Sequence, residues 1–374
     1  MSERSLNLAF VGDVCLASLF RHPSPEGIAF PDWPAIQDAV GAHDLLVGNL
    51  ECCLVDAHCN ADAREQPMAV AAIADPFLER LAFSDLSLAN NHSLDCGAEA
   101  VPVAHARLDS IGMRAFGNGM DLREAEAPAV TECNGCKIAF VAACDKTELY
   151  ASHNRAGVAP LKKSRLGRRV RAAAMQADLV VVLLHADLEF CKVPGRWRQR
   201  LSRWLIDQGA HLVIQHHPHV LQGIETYHNG LIAYSLGNFI FNVHGNQYQS
   251  RHPGVHDSLV LVVDVHLADG SPHLAYRMVP LRIEDDHLPH LLVGAARADA
   301  IQRIEELSSL LLNRRAYRRA WFQRCRLEAA AHFWSLFYAC RRGHPVRGAR
   351  ALCCVITRRE ERRWLLGLLS LGYL

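Results

Sequence analysis

Eight apolar runs of four to seven residues recur through the first 265 positions: Leu6–Gly12, Leu45–Asn49, Leu86–Ala89, Lys137–Ala142, Leu179–Leu184, Leu212–Gln215, Leu231–Tyr234 and Leu259–Val265. Runs this short, rich in Val, Ile and Leu, read as buried strands rather than helices. The stretches between them are long enough for helices. Gly97–Ile111, Leu166–Gln176 and Trp197–Gln208 have helical length and spacing, and Gly112 and Gly209 stand where a helix C-terminus calls for a residue that tolerates positive φ. Strand and helix in alternation predict an α/β layered domain with largely parallel strands.

The rhythm ends after Pro280. From Leu292 the sequence reads as helix, with Tyr317, Trp321, Cys325, Ala329, Phe333 and Phe337 recurring on one face at four-residue intervals. A boundary near residue 290 is expected, separating a 1–290 domain from a 291–374 helical extension. Charge divides the chain in a similar place. Its 374 residues carry a formal +1, yet Ile301–Leu374 holds fifteen arginines, no lysine and five glutamates, a local +10 against −9 before it. The near-neutral total argues against a nucleic-acid binder. The Arg-rich extension suits an acidic surface, either the first domain or the anionic face of a membrane.

No run approaches the ~18 apolar residues of a membrane-spanning helix, and Leu6–Val11, cut short by Asp13, lacks the pattern of a signal peptide. The thirteen cysteines follow no repeating spacing and include the adjacent pairs Cys52-Cys53 and Cys353-Cys354. That usage suits a reducing compartment. The expected location is cytoplasmic, with peripheral contact at the inner membrane face through the extension and its apolar end Trp364–Leu374.

Polar residues collect where the apolar runs stop. The first ends in Gly12-Asp13, the second in Gly48-Asn49-Leu50-Glu51 and the third runs into Asn90-Asn91-His92-Ser93-Leu94-Asp95. Val180–Leu184 leads to His185 and then Glu189; Val213-Ile214 leads to Gln215-His216-His217-Pro218-His219. In a layered α/β fold the carboxyl ends of strands are where loops carry chemistry. One histidine in such a place reads as a hydrogen-bonded edge residue. Five strand ends that all deliver carboxylate, amide or imidazole read as a divalent-cation site.

In sequence order these motifs, closing with His217-Pro218-His219-Val220-Leu221-Gln222-Gly223 and Tyr234-Ser235-Leu236-Gly237-Asn238-Phe239, resemble the CapA family of bacterial capsule and poly-γ-glutamate synthesis proteins over residues 6 to about 283. The family is similar to the calcineurin-like metallophosphoesterases. The resemblance implies a four-layer α/β/β/α sandwich with two divalent ions, Mn, Fe or Zn, at the sheet edge. It implies Asp13, Asn49, Glu51, Asn91, His185, His217 and His219 as metal ligands, with Glu51 the better bridge because it is anionic. His92 and Asp95 are implied as catalytic, and Glu189, His216 and Asn238 as substrate-contacting. Cys15 occupies the position of a family histidine, and His185-Ala186-Asp187-Leu188-Glu189 replaces the usual His-Trp-Gly-x-Glu.

Two functions follow from that likeness. One is a hydrolase of a phosphoester or related bond that uses a metal-activated water. The other is a non-catalytic metal-binding component of a polymer synthesis assembly, which binds γ-glutamyl polymer or a synthetase partner. The implied partners are an anionic substrate or polymer and other capsule-synthesis proteins, with no nucleic acid. Other motifs are weaker. Cys133-Asn134-Gly135-Cys136 has a metal or redox spacing, but Asn-Gly between two strand-like runs predicts a hairpin turn. His252 and His256 fall in a loop that either lines the pocket mouth or is solvated.

Overall fold

Each of the eight apolar runs lies on a strand, with ends within three residues of those expected. The computed structural model describes residues 4–20, 30, 32–56, 68–145, 149–268 and 271–326. The strands of its two large sheets are, in chain order, Arg4–Val14 (β1), Leu45–Leu50 (β2), Asp85–Ser87 (β3), Arg114–Phe116 (β4), Ala129–Cys133 (β5), Cys136–Cys144 (β6), Leu179–His185 (β7), Leu212–His216 (β8), Ile224–Tyr227 (β9), Gly230–Ala233 (β10), Asn238–Ile240 (β11), Asp257–Ala268 (β12), Ser271–Ile283 (β13) and Pro289–Leu291 (β14). The helices that cover them are Trp33–Val40 (α1), Asp75–Leu81 (α2), Ala100–Ser110 (α3), Lys163–Ala174 (α4), Arg196–Asp207 (α5) and Gly294–Leu312 (α6). A further helical stretch covers residues 314–326.

The first sheet runs β14-β13-β12-β1-β2-β3-β4, with β11 parallel to the end of β1; the second runs β9-β10-β8-β7-β6-β5. Strands β1 to β4 are mutually parallel, as are β6, β7, β8 and β10. The hairpin expected at Cys133–Cys136 joins β5 to β6, with Asn134 and Gly135 both at positive φ. Two such residues give the turn whose twist matches the flanking strands.

Alternation along the strands explains why the sheets stack. On β7, Val181 and Leu183 point into the layer between the sheets, where Phe10, Val47, Phe140 and Leu261 also pack. Val180, Val182 and Leu184 face the other way, onto Leu166 and Val170 of α4 and Leu201 and Leu205 of α5. The first sheet sets Ala9, Val11 and Leu46 against Ile36 of α1, Leu78 and Leu81 of α2 and Leu108 of α3. Both faces of both sheets are buried, so the central strands read as continuous apolar runs. The result is the four-layer α/β/β/α sandwich.

The expected boundary near residue 290 coincides with the last strand, yet the packing continues across it. Ile304 and Leu307 of α6 enter the cluster between the sheets, Leu311 joins the outer cluster, and the Ile224 amide donates to Ser308 Oγ at 2.9 Å. Tyr317, Trp321 and Cys325 are buried against Leu188, Cys191 and Val193. The other members of that stripe, Ala329, Phe333 and Phe337, lie outside the described residues, as do Trp364–Leu374 and Cys353-Cys354. Among the described residues no helix is long and apolar enough to cross a membrane, and the cysteines there form no disulfide.

A chain truncated after Asp286 would uncover the surface on which α6 sits. Each large side chain buried there contributes about 1.5–3 kcal/mol, so the fragment should melt well below the full chain and aggregate. Differential scanning calorimetry checks this, and equal melting temperatures would contradict it.

Candidate metal centre

Strand register brings the sequence motifs together. Asp13 on β1 lies opposite Asn49 on β2 and Asn238 on β11, while His185 on β7 lies opposite His216 on β8. The pinch between β1 and β11 needs glycine: a Cβ on Gly12 would sit 2.1 Å from the Gly237 carbonyl oxygen. Glu51 follows directly after β2, its amide bonded to the Val14 carbonyl at 2.7 Å. His217 and His219 follow β8 with φ of 94° and 55°. Positive φ at a residue with a Cβ costs energy and is found where function over-determines the backbone.

Glu51 lies at the centre. It is fully buried, and neither carboxylate oxygen has a hydrogen-bond partner. Its Oε1 is ringed by His185 Nε2 at 3.5 Å, His92 Nε2 at 3.8 Å and His219 Nε2 at 3.8 Å. Burial, reinforced by the Asp13 carboxylate, pushes its pKa well above the ordinary carboxylate range. A carboxylate so placed either takes a proton or requires a cation.

The surrounding hydrogen bonds set which imidazole nitrogens face it. Asn238 Oδ1 can only accept, and it lies 2.8 Å from His219 Nδ1, so that nitrogen carries the proton. In the neutral ring Nε2 then presents a lone pair toward Glu51. A lone pair facing the carboxylate at 3.8 Å is repulsive unless a proton or a metal ion lies between them. Glu51, His217 and His219 offer ligand atoms within 4.8 Å of one another, and Asp13, Glu51 and His185 form a second such set sharing Glu51. The donor sets, hard carboxylate oxygen with borderline imidazole nitrogen, suit Mn, Fe or Zn.

Of the other residues singled out in the sequence, Asn91 joins the cluster through Oδ1, 2.7 Å from His185 Nε2, which also lies 3.0 Å from His217 Nδ1. Asn49 is beside the cluster but turned. Its Nδ2 donates to Asp13 Oδ1 at 2.8 Å, and its Oδ1 accepts from Asn90 Nδ2 at 3.2 Å. The anionic carboxylate accepts only, which fixes the amide with its oxygen away from Asp13. His216 does not face the cluster: buried, with its pKa lowered by desolvation, it lies 3.0 Å from the Val11 carbonyl oxygen and ties the two sheets. Cys15 is buried in the core beside Val14 and Leu16.

His92 sits at the open side. Asp95 Oδ2 lies 2.6 Å from its Nδ1, which leaves Nε2 toward Glu51. Sequence reasoning missed two supports of this loop. Asn90 Oδ1 accepts from the His92 amide at 3.1 Å, and the Cys53 thiol donates to the His92 carbonyl at 3.0 Å while accepting from the Cys96 amide at 3.4 Å. The paired Asn90-Asn91 was the only signal for the first.

Glu189 forms the opposite wall, with Oε1 3.9 Å from His217 Nε2 and Oε2 accepting from the Tyr248 hydroxyl. Beside it Phe190, at φ 57°, stacks on His252 with ring centres 3.9 Å apart. Burial and the neighbouring Arg324 and Arg251 lower the His252 pKa to about 4. His252 thus lines the wall, one of the two alternatives for its loop. Residues 314–326 hold this wall from behind. The Tyr317 hydroxyl donates to the Pro194 carbonyl, and Arg324 Nη2 donates to the Glu189 carbonyl at 3.3 Å.

The geometry defines a class: an α/β/β/α sandwich with a buried imidazole–carboxylate cluster, compatible with a metal ion, where the two sheets' strand ends meet. The chain belongs to the bacterial capsule synthesis protein PGA_cap family, whose profile it matches over residues 7–243. It is 27% identical over 284 residues to the PGA biosynthesis protein CapA of Bacillus subtilis, covering 72% of this chain and 74% of that one. It is 29% identical over 204 residues to the capsule biosynthesis protein CapA of Bacillus anthracis, covering 51% of this chain and 49% of that one. Among solved structures, a 5'-nucleotidase from Candida albicans overlays with a TM-score of 0.43 at 9% identity, covering 83% of this chain and 59% of that one.

Asn238→Ala removes the acceptor that fixes the His219 tautomer. Loss of such a support lowers metal affinity by about 10–100-fold. Calorimetric titration of chelated protein with Mn²⁺, below a melting temperature lowered by the loss of the Asn238 bonds to the His219 and Val255 carbonyls, should show that drop, and unaltered affinity would contradict the role.

Proposed function

We propose that the chain is a metal-dependent hydrolase acting on a phosphoester or related bond in the synthesis of capsule or poly-γ-glutamate polymer. The observation that carries this reading is Glu51, a buried carboxylate without a hydrogen-bond donor, ringed by imidazole nitrogens on the face where β1, β2, β7 and β8 end. Asp13, Glu51, Asn91, His185, His217 and His219 would hold one or two divalent ions. Bound there, such ions supply Lewis acidity toward an oxyanion and lower the pKa of a water.

The protein's own groups supply the rest. His92, held by Asp95 with Nε2 turned inward, delivers a proton to the leaving oxygen as a general acid. Asp95 orients the ring through the contact at Nδ1. Glu189 and Tyr248 border the space beside His217, and Asn49 holds Asp13 rather than serving as the metal ligand expected of it. Family membership supports an anionic substrate or γ-glutamyl polymer and a place among polymer-synthesis partners.

A second reading, a metal-dependent binding component without turnover, has one observation in its favour: Cys15 stands where relatives of the phosphoesterase type carry an imidazole. A panel of chromogenic phosphoesters assayed with Mn²⁺, Fe²⁺ or Zn²⁺ and with chelator separates the two. Turnover that chelation abolishes and metal restores supports the hydrolase; tight metal binding with no turnover on any ester supports the binding component.

Within the hydrolase reading two substitutions should part company. His92→Ala should lower kcat by about 10²–10⁴-fold and leave metal content intact, because Asn91 and the imidazoles of β7 and β8 remain. The double change of His217 and His219 to alanine should empty at least one site by elemental analysis. Loss of metal from the His92 variant would reassign that residue as a ligand.

A further inference from the structure

The loop that carries His92 rests on a sulfur atom. Cys53 stands two residues after Glu51 and is 1% exposed. Its main chain is firmly held. Cys53–Leu54 pairs in parallel with Ala69–Val70, and the Cys53 amide donates to the Met68 carbonyl at 2.9 Å. Arg107 Nη1 ties the two short strands together by donating to the Val55 carbonyl at 2.8 Å and the Val70 carbonyl at 2.7 Å. The Cys53 side chain packs in a small buried cluster with Val55, Cys96 and Ala100.

From that fixed strand the sulfur reaches both ends of the turn His92–Cys96. The thiol donates to the His92 carbonyl at 3.0 Å, and the sulfur accepts from the Cys96 amide at 3.4 Å. Between those two points the turn closes on itself: the Asp95 amide donates to the same His92 carbonyl at 3.4 Å, and Asp95 Oδ2 lies 2.6 Å from His92 Nδ1. At the other end of the residue, His92 Nε2 lies 3.8 Å from Glu51 Oε1. One short stretch of chain, Glu51–Cys53, therefore meets His92 both at its ring and at its main chain. Cysteine suits this place because it is buried at the cost of a small apolar group and still donates one hydrogen bond while accepting another.

We propose that Cys53 is a positioning residue for His92: its sulfur fixes the His92–Cys96 turn so that Asp95 meets the ring at Nδ1 and Nε2 stays turned toward Glu51. The inference rests on the reading of His92 as the general acid and concerns how that acid is aimed. The hydrogen bonds to sulfur are individually weak, but the geometry they set is not forgiving. A misplacement of about 1 Å that originates away from the reacting atoms lowers a rate by about 10²-fold.

Two substitutions separate the hydrogen bonds from the packing. Cys53→Val fills the space and makes neither bond, whereas Cys53→Ser keeps a donor and an acceptor. With a chromogenic phosphoester and Mn²⁺, Cys53→Val should lower kcat by about 10–10²-fold, with KM and the calorimetric Mn²⁺ affinity close to those of the unaltered chain, and Cys53→Ser should recover most of the loss. If the valine variant fails to fold, Cys53→Ala, which also lacks both bonds, takes its place. The second measurement needs no turnover: the His92 tautomer, read by ¹⁵N NMR of the chelated full chain at about pH 8 and assigned with His92→Ala. The carboxylate of Asp95 only accepts, so the proton should sit on Nδ1 in the unaltered chain and in Cys53→Ser. In Cys53→Val it should be divided between Nδ1 and Nε2. A valine variant with the unaltered tautomer, or a serine variant as impaired as the valine one, would overturn the proposal. A chain that hydrolyses no ester contradicts the hydrolase reading, and the tautomer comparison then decides the role of Cys53 alone.

Discussion

A fully buried carboxylate that no donor touches is the constraint around which the rest of the site is arranged. Glu51 loses its hydration on folding and gains no hydrogen bond in exchange, a cost of several kcal/mol for a charged group. Imidazoles approach one of its oxygens from three directions, and Asn238 turns the lone pair of one of them inward. A protein gains nothing from that arrangement by itself. A divalent cation held by Glu51, His217 and His219 would offset that cost, which would then appear as metal affinity.

The sandwich supplies the rigidity this needs. Parallel strands in both sheets end on one side, so β1 and β2 present Asp13 and Glu51 while β7 and β8 present the histidines. The positive φ at His217, His219 and Phe190 persists only because neighbouring elements hold it. For Phe190 and Glu189 part of that hold comes from residues 314–326, beyond the 7–243 span of the family match. Residues 314–326 are thus structural for the site wall, although the arginine content of the region after residue 301 alone reads as a surface for an acidic partner.

Much of this was legible in the sequence because it depends on local pattern. Short apolar runs gave strands, Asn134-Gly135 a hairpin, and Gly112 and Gly209 helix ends, all at positive φ as expected. The convergence of Asp13, Glu51, Asn91, His185, His217 and His219 followed from each standing at or shortly after the carboxyl end of a strand. What pattern could not show was direction. His216 and His217 are adjacent and chemically identical, yet one joins the two sheets through the Val11 carbonyl and the other turns into the site. Asn49 presents its nitrogen to Asp13 because of a register between β1 and β2 that only tertiary structure sets. The partnership of Tyr248 with Glu189 spans a loop with no periodicity, and the composition shift near 290 does not show that α6 packs into the core.

The central claim is that Glu51 is charged and held by a cation. Its pKa, raised from the ordinary 4.5 by burial first and Asp13 second, means that in metal-free protein the folded state favours the protonated acid. Stability from that protonation is fully present below about pH 4.5 and is lost as pH rises through the folded-state pKa. The most direct measurement is the melting temperature of chelated and Mn²⁺-loaded protein between pH 4.5 and 8, for the unaltered chain and for Glu51→Gln. The account predicts that the gap between loaded and chelated protein widens with pH in the unaltered chain and shrinks in the variant. A gap that is absent at every pH, or the same in both proteins, would contradict it.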